Sequence, residues 1–198
     1  MGNSWKSQIG FSNKVDIGKD FIWSSGFEDS SFADYKDLVG CELDVMHISQ
    51  LLDKLIEDGR LKLKANDLKV TYHDPCHLGR HAGEFEAPRN VISSISDLVE
   101  MENIRNKSRC CGSGGGVKSA YGDLSNSIAR LRISEAEDTG ADLLVSACPF
   151  CKLNLSENSD DLAVLDLCEF VLNNLDCDDS NDNKSSNENE ESLKEADL

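Results

Sequence analysis

Five cysteines fall in three short segments of this 198-residue chain: Cys76, the adjacent pair Cys110 and Cys111, and Cys148 with Cys151. Thiolates are soft ligands, and clustered cysteines without a secretory signal predict metal binding rather than disulfides. Cys148-Pro149-Phe150-Cys151 has the spacing of half a structural zinc site, and Cys110, Cys111, Cys148 and Cys151 could give zinc four sulfurs. Adjacent cysteines sit awkwardly on a tetrahedral zinc knuckle, which favours about two to four intervening residues. The ligand rules therefore favour an iron–sulfur centre and keep zinc as the alternative. A thioredoxin-type pair at Cys148 and Cys151 is disfavoured, since three further thiols are expected at the same place.

What could bring such distant segments together is an α/β alternation. Leu68–Tyr72 predicts a strand, stopped by Asp74-Pro75 because proline cannot donate to a ladder, and Cys76 follows directly. Leu143-Leu144-Val145 predicts a buried strand within Asp142–Ala147, again followed by cysteine. Met46, Ile48, Leu51, Leu52, Leu55 and Ile56 predict an amphipathic helix ending near Gly59. A helix is expected over Ala87–Ser96, a short strand at Leu98–Met101 and a loop at Glu102–Arg109. One long helix is expected from Val117 to Thr139-Gly140, with Leu124, Ile128, Leu131 and Ala136 as its apolar stripe. A strand at Ala163–Leu165, a helix over Leu167–Leu175 and an early strand at Phe21-Ile22-Trp23 complete the reading. The fold class expected is α/β, a mostly parallel sheet flanked by helices.

In such a sheet the loops after the strands gather at the carboxyl edge, where ligands bind, so the five sulfurs should converge there. Gly112-Ser113-Gly114-Gly115-Gly116 lets backbone amides approach sulfur, whereas the spacing and the following residues exclude a nucleotide P-loop. His73, His77 and His81 crowd Cys76; loop hydrogen bonding explains them more simply than chemistry, with His77 and His81 kept as candidate proton donors. Arg80 and Lys152 could balance cluster charge, or simply solvate the surface. Cys41 and Cys168 are expected to pack rather than ligate, and Cys177 to be free.

A formal charge of −17 and a pI near 4.5 exclude direct nucleic-acid binding, which needs clustered Lys and Arg. Eight acids and two lysines lie in residues 178–198, so the end of the chain predicts a disordered acidic tail from Cys177 onward. No transmembrane run, signal peptide or myristoylation motif is read, and a cytoplasmic protein is expected, peripheral to a membrane at most through partners.

His73-Asp74-Pro75-Cys76-His77-Leu78-Gly79-Arg80, Cys110-Cys111-Gly112 and Ala147-Cys148-Pro149-Phe150-Cys151, with gaps of 33 and 36 residues between their cysteines, resemble the cysteine-rich CCG domain of heterodisulfide reductases and related iron–sulfur oxidoreductases. The resemblance covers roughly Ser24 to Leu175 and is closest to the carboxyl half of a heterodisulfide reductase catalytic subunit. It implies a non-cubane [4Fe–4S] cluster on Cys76, Cys110, Cys111, Cys148 and Cys151. It also implies thiol or disulfide redox chemistry of the kind that reduces the mixed disulfide of two methanogen coenzymes in methanogenesis. Relatives serving glycolate, lactate, glycerol-phosphate and thiol–fumarate chemistry supply the alternative, an electron-relay subunit. A zinc-bound module without chemistry is the other class.

Asp34-Tyr35 aligns the front segment with the end of a preceding CCG domain, and the cysteines expected there fall on Ser24 and Phe27. Residues 1–40 are accordingly expected to be a degenerate remnant, residues 41–176 the iron–sulfur domain and residues 177–198 the tail, with one cluster in all. No ferredoxin-type cysteine run is present, which implies a ferredoxin-like or other electron-carrier subunit as partner and a small thiol or disulfide as substrate.

Overall fold

The computed structural model describes residues 21–24 and 44–176. The division at residue 40, Phe27, Asp34-Tyr35, Cys41, Cys177 and the acidic tail lie outside the described residues. β1 (Phe21–Ser24), which contains the strand expected there, pairs in parallel with β2 (Asp44–His47), which the sequence pattern did not reveal. Helix α1 (Ile48–Glu57) starts at His47, whose Nδ1 accepts from the Ser49 amide at 3.2 Å while the Gln50 side chain accepts from the His47 amide at 2.9 Å. Gly59 ends it at φ +66, in the left-handed region that glycine enters without penalty.

The main sheet contains β3 (Lys69–His73), β4 (Asp97–Leu98), β5 (Leu143–Ser146) and β6 (Ala163–Asp166), all parallel, in the order β4-β3-β5-β6. Helices α2 (Glu86–Ser93), α3 (Val117–Ala120), α4 (Gly122–Glu137), α5 (Pro149–Ser156) and α6 (Leu167–Asn173) fill the connections. Strand alternation sends Val70, Tyr72, Leu143 and Val145 into one core with Val91, Ile92, Leu167 and Phe170. Leu144 and Val164 enter a second core with Ala129, Ile133, Ala136, Leu155, Cys111 and Cys151. The sheet is thus covered on both faces, which is why β5 is buried along its whole length.

Several local expectations need correction. The helix drawn from Val117 to Thr139 is two, broken at Tyr121 (φ −139, ψ 62), where the following Gly122 has low helix propensity. The stripe assigned to α4 is also displaced: Leu124 and Leu131 are 54% and 58% exposed, and the buried face is Ser125, Ala129, Arg132, Ile133 and Ala136. That face includes two polar side chains that serve the site, so hydrophobic periodicity pointed away from it. The strand expected at Leu98–Met101 is the shorter Asp97–Leu98. Cys168, expected to pack, is exposed on the first turn of α6, because Leu167, Phe170 and Val171 take the inward face.

Candidate metal centre

β3 and β5 are neighbours with His73 opposite Ser146, and their C-terminal ends lead away to opposite sides of the sheet. A crevice opens at such a reversal of strand order. Cys76 lies three residues beyond the end of β3 and Cys148 two beyond the end of β5. Cys110 and Cys111 arrive on the crossover between β4 and β5. All five cysteines line one cavity of about 510 Å³, together with Ser113, Gly114, Gly115, Gly116, Ala147 and Phe150. Its other wall is made by His47, Gln50, His77, Leu78 and Glu84.

Each cysteine segment is anchored differently. Asp74, just before Pro75 and Cys76, takes both terminal nitrogens of Arg89 at 2.7 and 2.9 Å and the Arg105 amide at 2.8 Å. Arg89 is buried, also binds Glu100 at 2.6 Å and the Phe85 carbonyl at 2.8 Å, and lies 5.2 Å from the Tyr72 ring centroid. Burial alone would lower its pKa, but Asp74 and Glu100 raise it, so the guanidinium stays charged. This bidentate pair holds the Cys76 loop against α2 and the strand edge.

The Cys110-Cys111-Gly112 turn is fixed through α4 and α5. Asn154, fully buried on α5, donates from Nδ2 to the Cys111 carbonyl at 2.7 Å and to Ser125 Oγ at 3.1 Å, and Ser125 Oγ donates to the Gly112 carbonyl at 2.9 Å. Lys118 Nζ donates to Asn154 Oδ1 at 2.6 Å. Gly112 has φ +84, and a Cβ there would stand 2.5 Å from the Ser125 carbonyl oxygen, so only glycine fits. Its amide donates to Cys110 Sγ at 3.3 Å. Cys148 caps the N-terminus of α5 with Pro149 as the first helical residue.

The sulfurs polarise one another. Hydrogen bonds from Cys110, Cys151 and His73 converge on Cys111 and outweigh its burial, holding it far below the ordinary thiol range. Cys151 and Cys110 are pushed up, first because each shares a hydrogen bond with Cys111. The Cys151 thiol, followed by the Cys151 and Phe150 amides, brings Cys148 down to about 7 despite burial. A pocket lined by five soft sulfur donors suits a soft metal centre.

The histidines separate. His77 lines the cavity, while His81 meets it edge-on with ring centroids 5.2 Å apart and does not line the wall. His73 is buried, and its ring nitrogen and the sulfurs of Cys111 and Cys151 all lie within 4.8 Å of one another. Arg80 donates to the Ser108 carbonyl at 2.7 Å and Lys152 pairs with Glu169 at 3.3 Å. Sequence reasoning missed Asp74, Arg89, Ser125, Arg132 and Asn154 as supports. The available signal was a polar residue recurring at helical spacing with the apolar ones, as Ser125, Ala129, Arg132, Ile133 and Ala136 do.

A doubly covered parallel sheet with five cysteines lining one pocket at its strand reversal defines a cysteine-rich α/β domain. The chain carries a CCG domain: residues 70–156 match the family described as cysteine-rich domain. It is 50% identical over 138 residues to one subunit of the dihydromethanophenazine:CoB–CoM heterodisulfide reductase of Methanosarcina acetivorans, covering 67% of this chain and 34% of that one. With the same subunit from Methanosarcina mazei the identity is 44%, covering 74% and 38%. One subunit of the fumarate reductase (CoM/CoB) of Methanothermobacter marburgensis is 37% identical, covering 67% and 27%. The chain thus spans roughly a third of the length of the curated relatives it matches. Among solved structures, a glutamate racemase from Bacillus anthracis aligns over 70% of this chain and 49% of that one at TM-score 0.38 and 8% identity, too loose a likeness to carry an argument. No helix among the described residues is long and apolar enough to cross a membrane.

Proposed function

We propose that Cys76, Cys110, Cys111, Cys148 and Cys151 hold one non-cubane [4Fe–4S] cluster, and that the chain is the redox portion of a heterodisulfide reductase-like oxidoreductase acting on a small thiol or disulfide. The observation that carries this reading is that sulfurs from three distant segments wall a single cavity. Its volume of about 510 Å³ falls within the roughly 300–1,000 Å³ of small-molecule sites. The names of the relatives, heterodisulfide reductase and fumarate reductase (CoM/CoB), support a sulfur substrate. When bound, such a cluster supplies single electrons and soft iron that matches thiolate.

The chain's own groups do the rest. Asp74 with Arg89, and Asn154 with Ser125, hold the loops so that the sulfurs face inward. The Gly112 amide offsets negative charge at Cys110. Phe150 and Leu78 give the cavity an apolar wall. His77 is the residue we assign to proton delivery at a departing thiolate, with His81 behind it. Residues 1–40, 41–176 and 177–198 correspond to remnant, cluster domain and tail. Electrons come from a ferredoxin-like or other carrier subunit, in a cytoplasmic assembly that reaches a membrane only through partners.

Anaerobic reconstitution with iron and sulfide analysis tests this. Iron and sulfide should appear together, be lost in Cys111→Ser and Cys148→Ser, and be retained in Cys168→Ser. Added thiols should change the EPR spectrum of the oxidised protein, and a thiol carrying a magnetic sulfur isotope should broaden the new signal. Zinc without sulfide would replace this reading by a metal-stabilised interaction module. A cluster that no thiol perturbs, but that a hydroxy-acid dehydrogenase or thiol–fumarate reductase subunit reduces, would replace it by electron relay.

A further inference from the structure

His73 is the one histidine carried directly on the central strand, and its burial among sulfurs raises the question of what its imidazole does. It is 1% exposed and belongs to a cluster in which it, Cys111 and Cys151 could face a metal. Its Nδ1, however, is engaged by Arg132, whose Nε donates to it at 3.1 Å. Arg132 is 0% exposed and is itself fixed by Glu135 Oε2 at 2.7 Å, the Asn103 carbonyl at 2.9 Å and Ser108 Oγ at 3.1 Å.

A guanidinium has only donors, so the Nδ1 it meets must accept. An imidazolium carries N–H on both ring nitrogens and could not accept at Nδ1, so the contact with Arg132 requires the neutral ring. A neutral imidazole whose Nδ1 accepts carries its proton on Nε2. With Nδ1 engaged by Arg132, Nε2–H is the ring donor left for the Cys111 sulfur, which lies within 4.8 Å of a His73 ring nitrogen. Ligation through Nε2 would first require removal of this proton, and a metal-bound histidine normally donates from its other nitrogen, where here the other nitrogen accepts.

We infer that His73 is not a metal ligand but a positioning residue, held by Arg132 as an Nε2–H donor to the Cys111 sulfur, where it raises the reduction potential of the cluster. The last clause rests on the cluster reading above; the tautomer and the hydrogen bond do not. A donor to a ligand sulfur stabilises the more negative, reduced state, so its removal lowers the potential.

The test compares wild type, His73→Leu and His73→Gln, the last keeping an amide N–H near the position of Nε2. Iron and sulfide are measured first, then the midpoint potential by anaerobic titration followed by EPR. Full loading with a more negative midpoint in His73→Leu, and recovery towards wild type in His73→Gln, is expected. A fully loaded His73→Leu at the wild-type midpoint, or loss of iron from both variants, overturns the inference. If wild type itself takes up no cluster, the cluster reading fails separately, and long-range 1H–15N spectra of the histidine-labelled metal-free chain still decide the tautomer. His73 should show Nε2 protonated and Nδ1 bare, a pattern that Arg132→Met should disturb. An Nδ1–H or doubly protonated ring in wild type overturns it.

Discussion

Reactivity at single cysteines follows from their neighbours more than from their exposure. Cys148 is half-buried, but its sulfur accepts from Cys151 and from two amides at the start of α5, which brings it to about 7. Cys168 is on the surface, yet partial desolvation of its sulfur, joined by the Asp166 carboxylate, pushes it up to about 12. Thiolate is the nucleophile, so near neutral pH Cys148 is far the more reactive of the two. Iodoacetamide on the metal-free chain, followed by peptide mass spectrometry, should label Cys148 well before Cys168; equal rates would contradict these environments. Gly112 gives a second residue-level outcome. Gly112→Ala adds left-handed strain of about 1–3 kcal/mol and a Cβ clash with backbone, whereas Gly114→Ala meets nothing within 4 Å and should be close to neutral in urea unfolding. The five cysteines were legible in the sequence because cysteine type and spacing are local facts. His73 was visible only as one of three crowded histidines, since its assignment depends on Arg132, far along the chain.

At the scale of elements, the chain's α/β alternation was readable, with most strand limits displaced by at most a residue, although β4 ends three residues early and β2 was not read. The crossover into β5 was read less well. Its helix breaks at Tyr121, and its inward face carries Ser125 and Arg132 because these side chains are partners for a carbonyl and a histidine. Periodicity registers apolar residues and cannot register a buried face chosen for hydrogen bonding. The same is true of α2, where Arg89 is buried beside Val91 and Ile92 to meet Asp74. Removing one member of a buried pair leaves an uncompensated charge and costs about 3–5 kcal/mol, whereas removing both can be nearly neutral. Arg89→Met should therefore destabilise strongly in urea unfolding, and Asp74→Asn combined with Arg89→Met should recover much of the loss. If the double variant is as unstable as the sum of the single ones, the pair is not what anchors the Cys76 loop.

For the whole molecule, the parallel sheet was legible but the strand order was not, since the same alternation can be wound in more than one way. The order β4-β3-β5-β6 matters because it makes β3 and β5 adjacent and opens the crevice between their ends. A metal cluster there would join loops centred on residues 76, 110 and 148, each from a different crossover, and would bind only the folded chain. Any group that binds the native state alone stabilises it by RT ln(1 + [L]/Kd), about 2.7 kcal/mol at a hundredfold excess over Kd. For a domain of this size that is a rise of roughly 2–8 °C in Tm per kcal/mol. Anaerobic removal of iron by a chelator should lower the Tm of the reconstituted chain by several degrees. Cys168→Ser should show the same drop, because its sulfur lies outside the cavity. Cys76→Ser should show a smaller one, because one of the three loops is then no longer tied. An unchanged Tm on iron removal would mean that the three segments come together without sharing a metal, and that the packing of the two cores alone holds the cavity in shape.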